Sequence, residues 1–509
     1  MVMLGHPSVI GVPGPTHPFE VGDTLAPAVL ERAHMARCDH AELRVERIRS
    51  QAIALRDGEL ETAADDTEAG VGLRVVRDGA VGFAATVATD PASVLALVDE
   101  ALEVARVAGR AARSRIVLAP EESHGEIEWS SPYRRDPVTV PLAEKHEILV
   151  DWSRRLLGAP GIDHVSAAAL AVSEDKYLAT LAGTRARQHR VRVHPRLEAV
   201  AVADGGDMET MRTLAPPVGR GWEYLEGEGW DWEAELAELP RFLADKLAAS
   251  SVTAGRYDLV IAPTNLWLTI HESIGHATEL DRALGFEAAY AGTSFATFDK
   301  LGSLVYGSPA LNVTGDRTTP HGLATVAIDD EGVLAQQFEL VSQGILVGYQ
   351  LDRAVAGAIG MARSNGCAFA DSPLHIPIQR MANVSLAADP GGPTTEELIA
   401  RVTNGIYIEG DKSWSIDMQR YNFQFTGQRF FSIRNGQLAE PLRDVAYQAT
   451  TTEFWGAMEA VGGPSTYLLG GAFNCGKGQP GQVAPVSHGC PSVLVREVRV
   501  LNTKEESGR

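Results

Sequence analysis

The sequence predicts an α+β protein. An N-terminal α/β domain of strands and long amphipathic helices is followed by a C-terminal β-rich domain that carries one bulged helix. Three observations carry this prediction. The 509 residues exceed what one hydrophobic core organises, so two or three domains are expected. The first half alternates short strand-like runs with segments whose apolar residues recur at helical spacing. The second half reads mostly as strands and long loops around a single clear helical motif.

Residues 1–20, rich in Gly, Pro and His, are expected to lie loosely on the surface, and the first domain is read as 21–253. A helical pattern near Leu25–Cys38 leads to strand runs at Ala41–Arg49, Ala52–Arg56, Thr62–Asp65 and Gly72–Asp78. Gly58, Gly70, Gly79 and Gly82 punctuate them as turn residues. Pro91–Ala112 places Val94, Leu97, Val98, Ala101, Leu102 and Ala105 on one helical face, and Leu142–Leu157 forms a second helix. Strands return at Ala168–Val172, Leu178–Leu181 and Arg190–Ala203. Pro216, Pro217 and several glycines break the chain over Thr213–Trp232, and Trp232–Ala249 is helical.

Ser250–Gly255 marks the boundary to a second domain, 254–503, which opens on the strand Tyr257–Ala262. Short helices follow near Asp352–Ala362 and Thr395–Thr403. Val493–Val500 is the last strand, and the polar Asn502–Arg509 is expected to fray.

The net charge of −21 repels phosphate backbones and anionic lipids, which counts against nucleic-acid or membrane partners. The first residues lack a basic region followed by a long apolar run, and no apolar stretch approaches the roughly 18–20 residues that span a bilayer. Four cysteines do not make a disulfide framework, so a reducing cytoplasm is expected.

The chemistry centres on His271-Glu272-Ser273-Ile274-Gly275-His276. Two imidazoles and an adjacent carboxylate supply most of a hydrolytic zinc site, which needs fixed ligands, a position for water and a base. On a regular helix, residues five apart point about 140° from each other, too far for one ion. A π-turn over Ser273–Gly275 would absorb the extra residue, with Gly275 supplying backbone freedom. An apolar strand-like approach, Leu259–Pro263 and then Leu266–Ile270, precedes the motif. Glu279 and Asp281 follow it and could hold the imidazoles from behind.

A third ligand is required. Glu279 is close in sequence but crowded against His276. Cys475, flanked by Gly476, is the better candidate, with Cys490 and His488 as its competitor. Cys38 and Cys367 read as packed thiols. Gly471–Lys477 also fits the start of a phosphate-binding loop, but Gly478 offers no hydroxyl for magnesium and Pro480 forbids the helix that must follow.

The chain resembles the TldD/PmbA family of metallopeptidases, and within it the catalytic TldD-like branch. In the first half the likeness rests on Gly70-Val-Gly-Leu-Arg-Val-Val-Arg-Asp-Gly79 and Gly82-Phe-Ala-Ala. In the second it rests on His271-Glu-Ser-Ile-Gly-His-Ala-Thr-Glu279, Asp329-Asp-Glu-Gly332, Arg380-Met-Ala-Asn383, Gly405-Ile-Tyr-Ile-Glu-Gly410 and Asn474-Cys-Gly-Lys477. The chain departs from the family pattern at Ala382 and in a longer turn after Cys475.

The resemblance implies zinc held by His271, His276 and Cys475, with Glu272 as general base. It also implies a dimer, with itself or with a PmbA-like paralogue, that cleaves unstructured peptides. The alternative is a peptide-binding subunit in which the zinc is structural and nothing is cleaved. Tyr407, Tyr421 and His375 are candidate helpers for an oxyanion, each with a structural role as its plainer reading.

Overall fold

The computed structural model of the chain describes residues 17–112 and 114–506. A helix already runs from Pro18 to Met35, entered through His17 and a proline at its first position, so Pro18–Glu20 are helical rather than loose. The rest of the expected loose segment, and the last three residues of the chain, lie outside the described residues. Asn502 ends the last strand and Thr503–Glu506 form a short helix where fraying was expected.

The N-terminal α/β part is built on one seven-stranded sheet. Its order is Ala80–Thr86, Glu59–Arg77, His40–Arg56, His164–Thr180, Arg185–Val202, Glu126–Ser130, with Met208–Arg212 pairing to Arg185–Val202 as well. The pairs expected as separate short strands are continuous. His40–Arg56 runs through Ser50 and Gln51 because both stay in register with neighbours on each side, Ser50 opposite Asp66 and Val172. Gln51 breaks the hydrophobic alternation, yet its amide is satisfied by the buried Lys145 ammonium and by Asp65.

Gly58 and Gly79 do form turns with positive φ. Gly70 and Gly82 instead lie inside strands, where they permit close approach. A Cβ on Gly82 would meet the Ala101 carbonyl oxygen at 1.8 Å. This is how the helix Pro91–Ala111 seats directly on the sheet.

The period-two alternation of the long strands divides the sheet into two unlike faces. Ala41, Leu43, Val45, Ile53 and Leu55 point to the helix-covered side. Helices Pro18–Met35 and Pro91–Ala111 pack on one end, and Leu142–Leu157 and Trp232–Ala248 on the other. The opposite positions, Glu42, Arg44 and Glu46, are buried as well. This face meets the C-terminal part through ion pairs: Arg44 faces Asp330 at 3.6 Å, Lys176 pairs with Asp330 at 2.8 Å, and Arg74, paired with Glu42 at 2.7 Å, also reaches Glu331 at 2.7 Å. The Asp329-Asp330-Glu331 segment is therefore a docking element between the two halves.

The C-terminal part is β-rich. An eight-stranded sheet runs Asn404–Ile416, Gly255–Ile261, Val493–Asn502, Val445–Thr450, Asn422–Arg434, Gln437–Arg443, Ser250–Ser251, with Met458–Val461 added beside Val493–Asn502. The hairpin Leu468–Lys477 and Gln482–Cys490 lies apart from it. Leu266–Ile270, expected to be strand-like, belong to the helix Pro263–Ile270. Proline at its first turn starts that helix, and Asn265 through Ile270 are all buried, which explains their unbroken apolar reading. No helix among the described residues is long and apolar enough to cross a membrane.

Gly82→Ala should destabilise the protein by about 2 kcal/mol or more, because backbone must shift. Gly58→Ala, in open space with positive φ, should cost only about 1 kcal/mol. Urea unfolding of the two variants checks the difference.

Candidate metal centre

The helix Pro263–Ile270 continues without a break into one π-helical turn, His271–Gly275, closed by the His276 N–H on the His271 carbonyl. A 3-10 turn, His276–Thr278, follows. The expected bulge is present, and it brings the two imidazoles together with ring centroids 4.7 Å apart. Wider spacing frees backbone carbonyls, which must find donors in a buried site. Side chains provide them. Tyr306 donates to the Ser273 carbonyl, Thr278 to that of Ile274 at 2.8 Å, and Gln350 to that of Gly275 at 2.7 Å. Gly275 itself has helical φ, so conformational freedom is not its use. A Cβ there would stand 2.6 Å from the Met381 sulfur.

The third donor arrives on the strand Leu468–Lys477. A bulge between Ala472 and Cys475 re-aims that strand, and Cys475 Sγ comes within 3.6 Å of His276 Nε2. Ligand atoms of His271, His276 and Cys475 all lie within 4.8 Å of one another, and all three residues are buried. A tetrahedral zinc with ordinary Zn–S and Zn–N bonds sets S and N about 3.5 Å apart, so the donor set fits the ion. Cys490, the competing candidate, instead turns its thiol to the Pro263 carbonyl at 3.7 Å.

Hydrogen bonds fix which nitrogen of each ring is free. The Val384 carbonyl can only accept, so His488 Nδ1, 2.8 Å away, carries a proton. Burial, and then the neighbouring His271, hold His488 well below the usual imidazole range, so it is neutral. Its Nε2 must then accept from His271 Nδ1 at 2.7 Å, leaving the lone pair of His271 on Nε2. His276 Nδ1 likewise donates to Glu279 at 2.7 Å, leaving its own Nε2 lone pair facing Cys475. Burial pushes the Cys475 thiol up, but its surroundings, His276 and the charge of Arg380 among them, bring it net below the ordinary thiol value.

Glu279 is in turn held by Lys477, whose ammonium also contacts Asp281 at 2.8 Å and Gln379 at 2.9 Å. Cys475 and Lys477 are two apart on one strand and so share its buried face. Asp281 therefore supports Lys477 rather than an imidazole. The phosphate-loop reading of Gly471–Lys477 fails on the same facts: the segment is a strand, and its lysine is spent on buried carboxylates.

Glu272 lies beside the histidines, with Oε2 accepting from Arg420 Nη1 at 2.7 Å. Burial raises its pKa, yet the surrounding groups, among them the Arg420 guanidinium on its Oε2, bring it net below the ordinary value, so it is ionised. The suggested helpers each have a partner of their own. Tyr407 bonds Glu409, Tyr421 bonds Thr452, and the half-exposed His375 bonds Asp371. Cys38 is partly buried; burial pushes the fully buried Cys367 up to about 12, which makes it an unreactive thiol.

Sequence reasoning missed Arg420 altogether and saw His488 only as a rival ligand. No local motif marks Arg420. The signal for Lys477 was present, in its i+2 spacing from Cys475.

Residues 254–502 match the sequence profile described as the PmbA/TldA metallopeptidase C-terminal domain, and residues 41–105 match that of domain 1. A metalloprotease of Methanothermobacter thermautotrophicus is 30% identical over 476 residues, covering 92% of this chain and 96% of that one. A zinc metalloprotease TldD homolog of Saccharolobus solfataricus is 27% identical over 311 residues, covering 60% and 64%. The crystal structure of TldE from Thermococcus kodakarensis shares the fold with a TM-score of 0.68 at 17% identity, covering 94% of this chain and 99% of that one.

Glu279→Gln removes the carboxylate that orients His276. It should lower zinc affinity about 10–100-fold, measured by competition with a chromogenic chelator.

Proposed function

We infer, from the premise that this chain belongs to the PmbA/TldD family of metallopeptidases, that it is a zinc-dependent peptidase of the cytoplasm that hydrolyses unfolded peptides. His271, His276 and Cys475 would hold the ion and Glu272 would serve as general base. The observation that carries this reading is the convergence of two imidazole Nε2 lone pairs and one buried cysteine sulfur beside an ionised carboxylate. The dimer implied by the family, with a second copy or a PmbA-like chain, is part of the same reading.

Zinc in this site would lower the pKa of a coordinated water and polarise the scissile carbonyl. The protein's own groups do the rest. Glu272 accepts a proton from the attacking water as its oxygen bonds to the carbonyl carbon and the C=O π pair moves onto oxygen. It then returns that proton to the amide nitrogen as the C–N bond breaks, releasing a carboxylic acid and an amine, and the acid's proton passes to the amine to leave a carboxylate and an ammonium. Glu272 Oε1 has no hydrogen-bond partner among the described residues, which leaves it free for this work. A closed structural zinc would call for a fourth protein ligand and no base. The group here has three donors among the described residues, with a carboxylate next to one of them, which favours the catalytic reading.

The preference for unfolded chains follows from the strand that carries Cys475. Leu468–Lys477 pairs only with Gln482–Cys490 among the described strands. A groove lined by His194, Arg212, Trp267, Phe473 and Asn474 runs along the same strand. An extended peptide can add to such an edge through main-chain bonds, whereas a folded domain has no free strand to offer.

Purified chain should carry about one zinc, as a single three-ligand site requires. In Glu272→Ala the zinc should stay, while cleavage of an unstructured peptide falls by at least about 100-fold. Metal analysis alongside a peptide-release assay checks both, and cleavage that persists in the variant would remove the assigned base.

A further inference from the structure

The buried site leaves one chemical need unmet. When the carbonyl oxygen takes on charge, a protein hydrogen-bond donor should be waiting for it in a water-poor environment. The cations nearest the ligands are mostly committed. Lys477 is shared by Glu279, Asp281 and Gln379. Arg380 donates to the Gln482 carbonyl at 3.0 Å and to that of Cys475. Arg282 spans Glu287 at 3.1 Å and the Ala291 carbonyl at 2.8 Å.

Arg420 differs. A guanidinium has five N–H donors in a fixed fork. Here one of them makes a short bond, 2.7 Å to Glu272, and another reaches the Ala291 carbonyl only at 3.4 Å. The side chain is 14% exposed, so it is not sealed within the core.

The backbone beneath it is held with unusual care. Arg420 has φ 62, a left-handed conformation that is costly for a residue with a side chain. The Asp417 carboxylate fastens the turn by accepting from the N–H groups of Gln419 at 3.0 Å, Tyr421 at 2.8 Å and Asn422 at 3.0 Å. The Thr451 hydroxyl donates to the Arg420 carbonyl at 2.8 Å. Four hydrogen bonds thus fix the base of one side chain whose tip meets Glu272.

We propose that Arg420 is a catalytic residue of the peptidase reaction, orienting Glu272 through one N–H and donating another to the substrate's carbonyl oxygen as that oxygen becomes negative. The proposal rests on the peptidase reading given above. Arg420 moves no proton; its contribution is a donor already aimed when the charge develops. Ground-state binding of the peptide depends on the strand edge and should change little when it is removed.

The test compares wild type, Arg420→Ala and Arg420→Lys. The probes are a fluorogenic unstructured decapeptide that the wild type cleaves and its phosphinate analogue, in which a tetrahedral phosphorus replaces the scissile amide carbonyl. In Arg420→Ala, zinc content should hold while kcat falls about 100–1,000-fold and KM changes by less than about threefold. Phosphinate affinity should fall by the same factor as kcat/KM. Millimolar guanidinium chloride should restore part of the lost rate. Arg420→Lys, which keeps charge and stem but lacks the fork, should lose at least about tenfold in kcat, and it carries the test if the alanine variant does not fold.

Unchanged kcat in either variant, loss of rate that tracks loss of zinc, or phosphinate binding equal to wild type would overturn the assignment of Arg420 and leave the peptidase reading standing. A zinc-loaded wild type that cleaves no peptide would overturn that reading and this proposal with it.

Discussion

The position of one proton on each of two imidazole rings governs the candidate centre. His271 and His276 can both offer Nε2 to one ion only if both carry their proton on Nδ1. The protein sets the two tautomers by different means. A carboxylate, Glu279, accepts from His276, and a second neutral histidine, His488, accepts from His271 and passes the constraint to the Val384 carbonyl. From this requirement follow the buried Lys477 that keeps Glu279 ionised and the glycine that lets Met381 and His488 close on the π-turn. The same strand supplies the sulfur and the lysine, so ligand and support are placed by one backbone register.

The second constraint is the docking of the two halves. One face of the N-terminal sheet is apolar and covered by helices; the other is ionic and covered by the C-terminal part. Replacing such a face by apolar groups would often be as stable. Its distinction is geometric: paired charges such as Lys176–Asp330 and Arg74–Glu331 accept only one seating of the halves. That seating brings His194 and Arg212 over the strand edge leading to Cys475, so the groove depends on it.

Much of this was legible in the sequence. Strong periodicity gave the helices at Pro91 and Leu142 and the strands around them, and the spacing of His271 and His276 required the bulged turn that the structure contains. Misreadings arose where tertiary contacts override local pattern. Leu266–Ile270 read as a strand because a helix buried on every side loses its periodicity. Gly70 and Gly82 read as turns because sequence alone does not distinguish backbone freedom from lack of room. Arg420 left no trace at all: its importance lies in a turn distant in sequence that folds back onto Glu272, and no spacing rule reports such a contact.

The most direct test of the centre is X-ray absorption at the zinc edge on the metal-loaded protein. Two nitrogen neighbours near about 2.0 Å and one sulfur near about 2.3 Å, with the sulfur contribution lost in Cys475→Ser, are the result this account predicts. A zinc shell without sulfur, or one unchanged in Cys475→Ser, would contradict it.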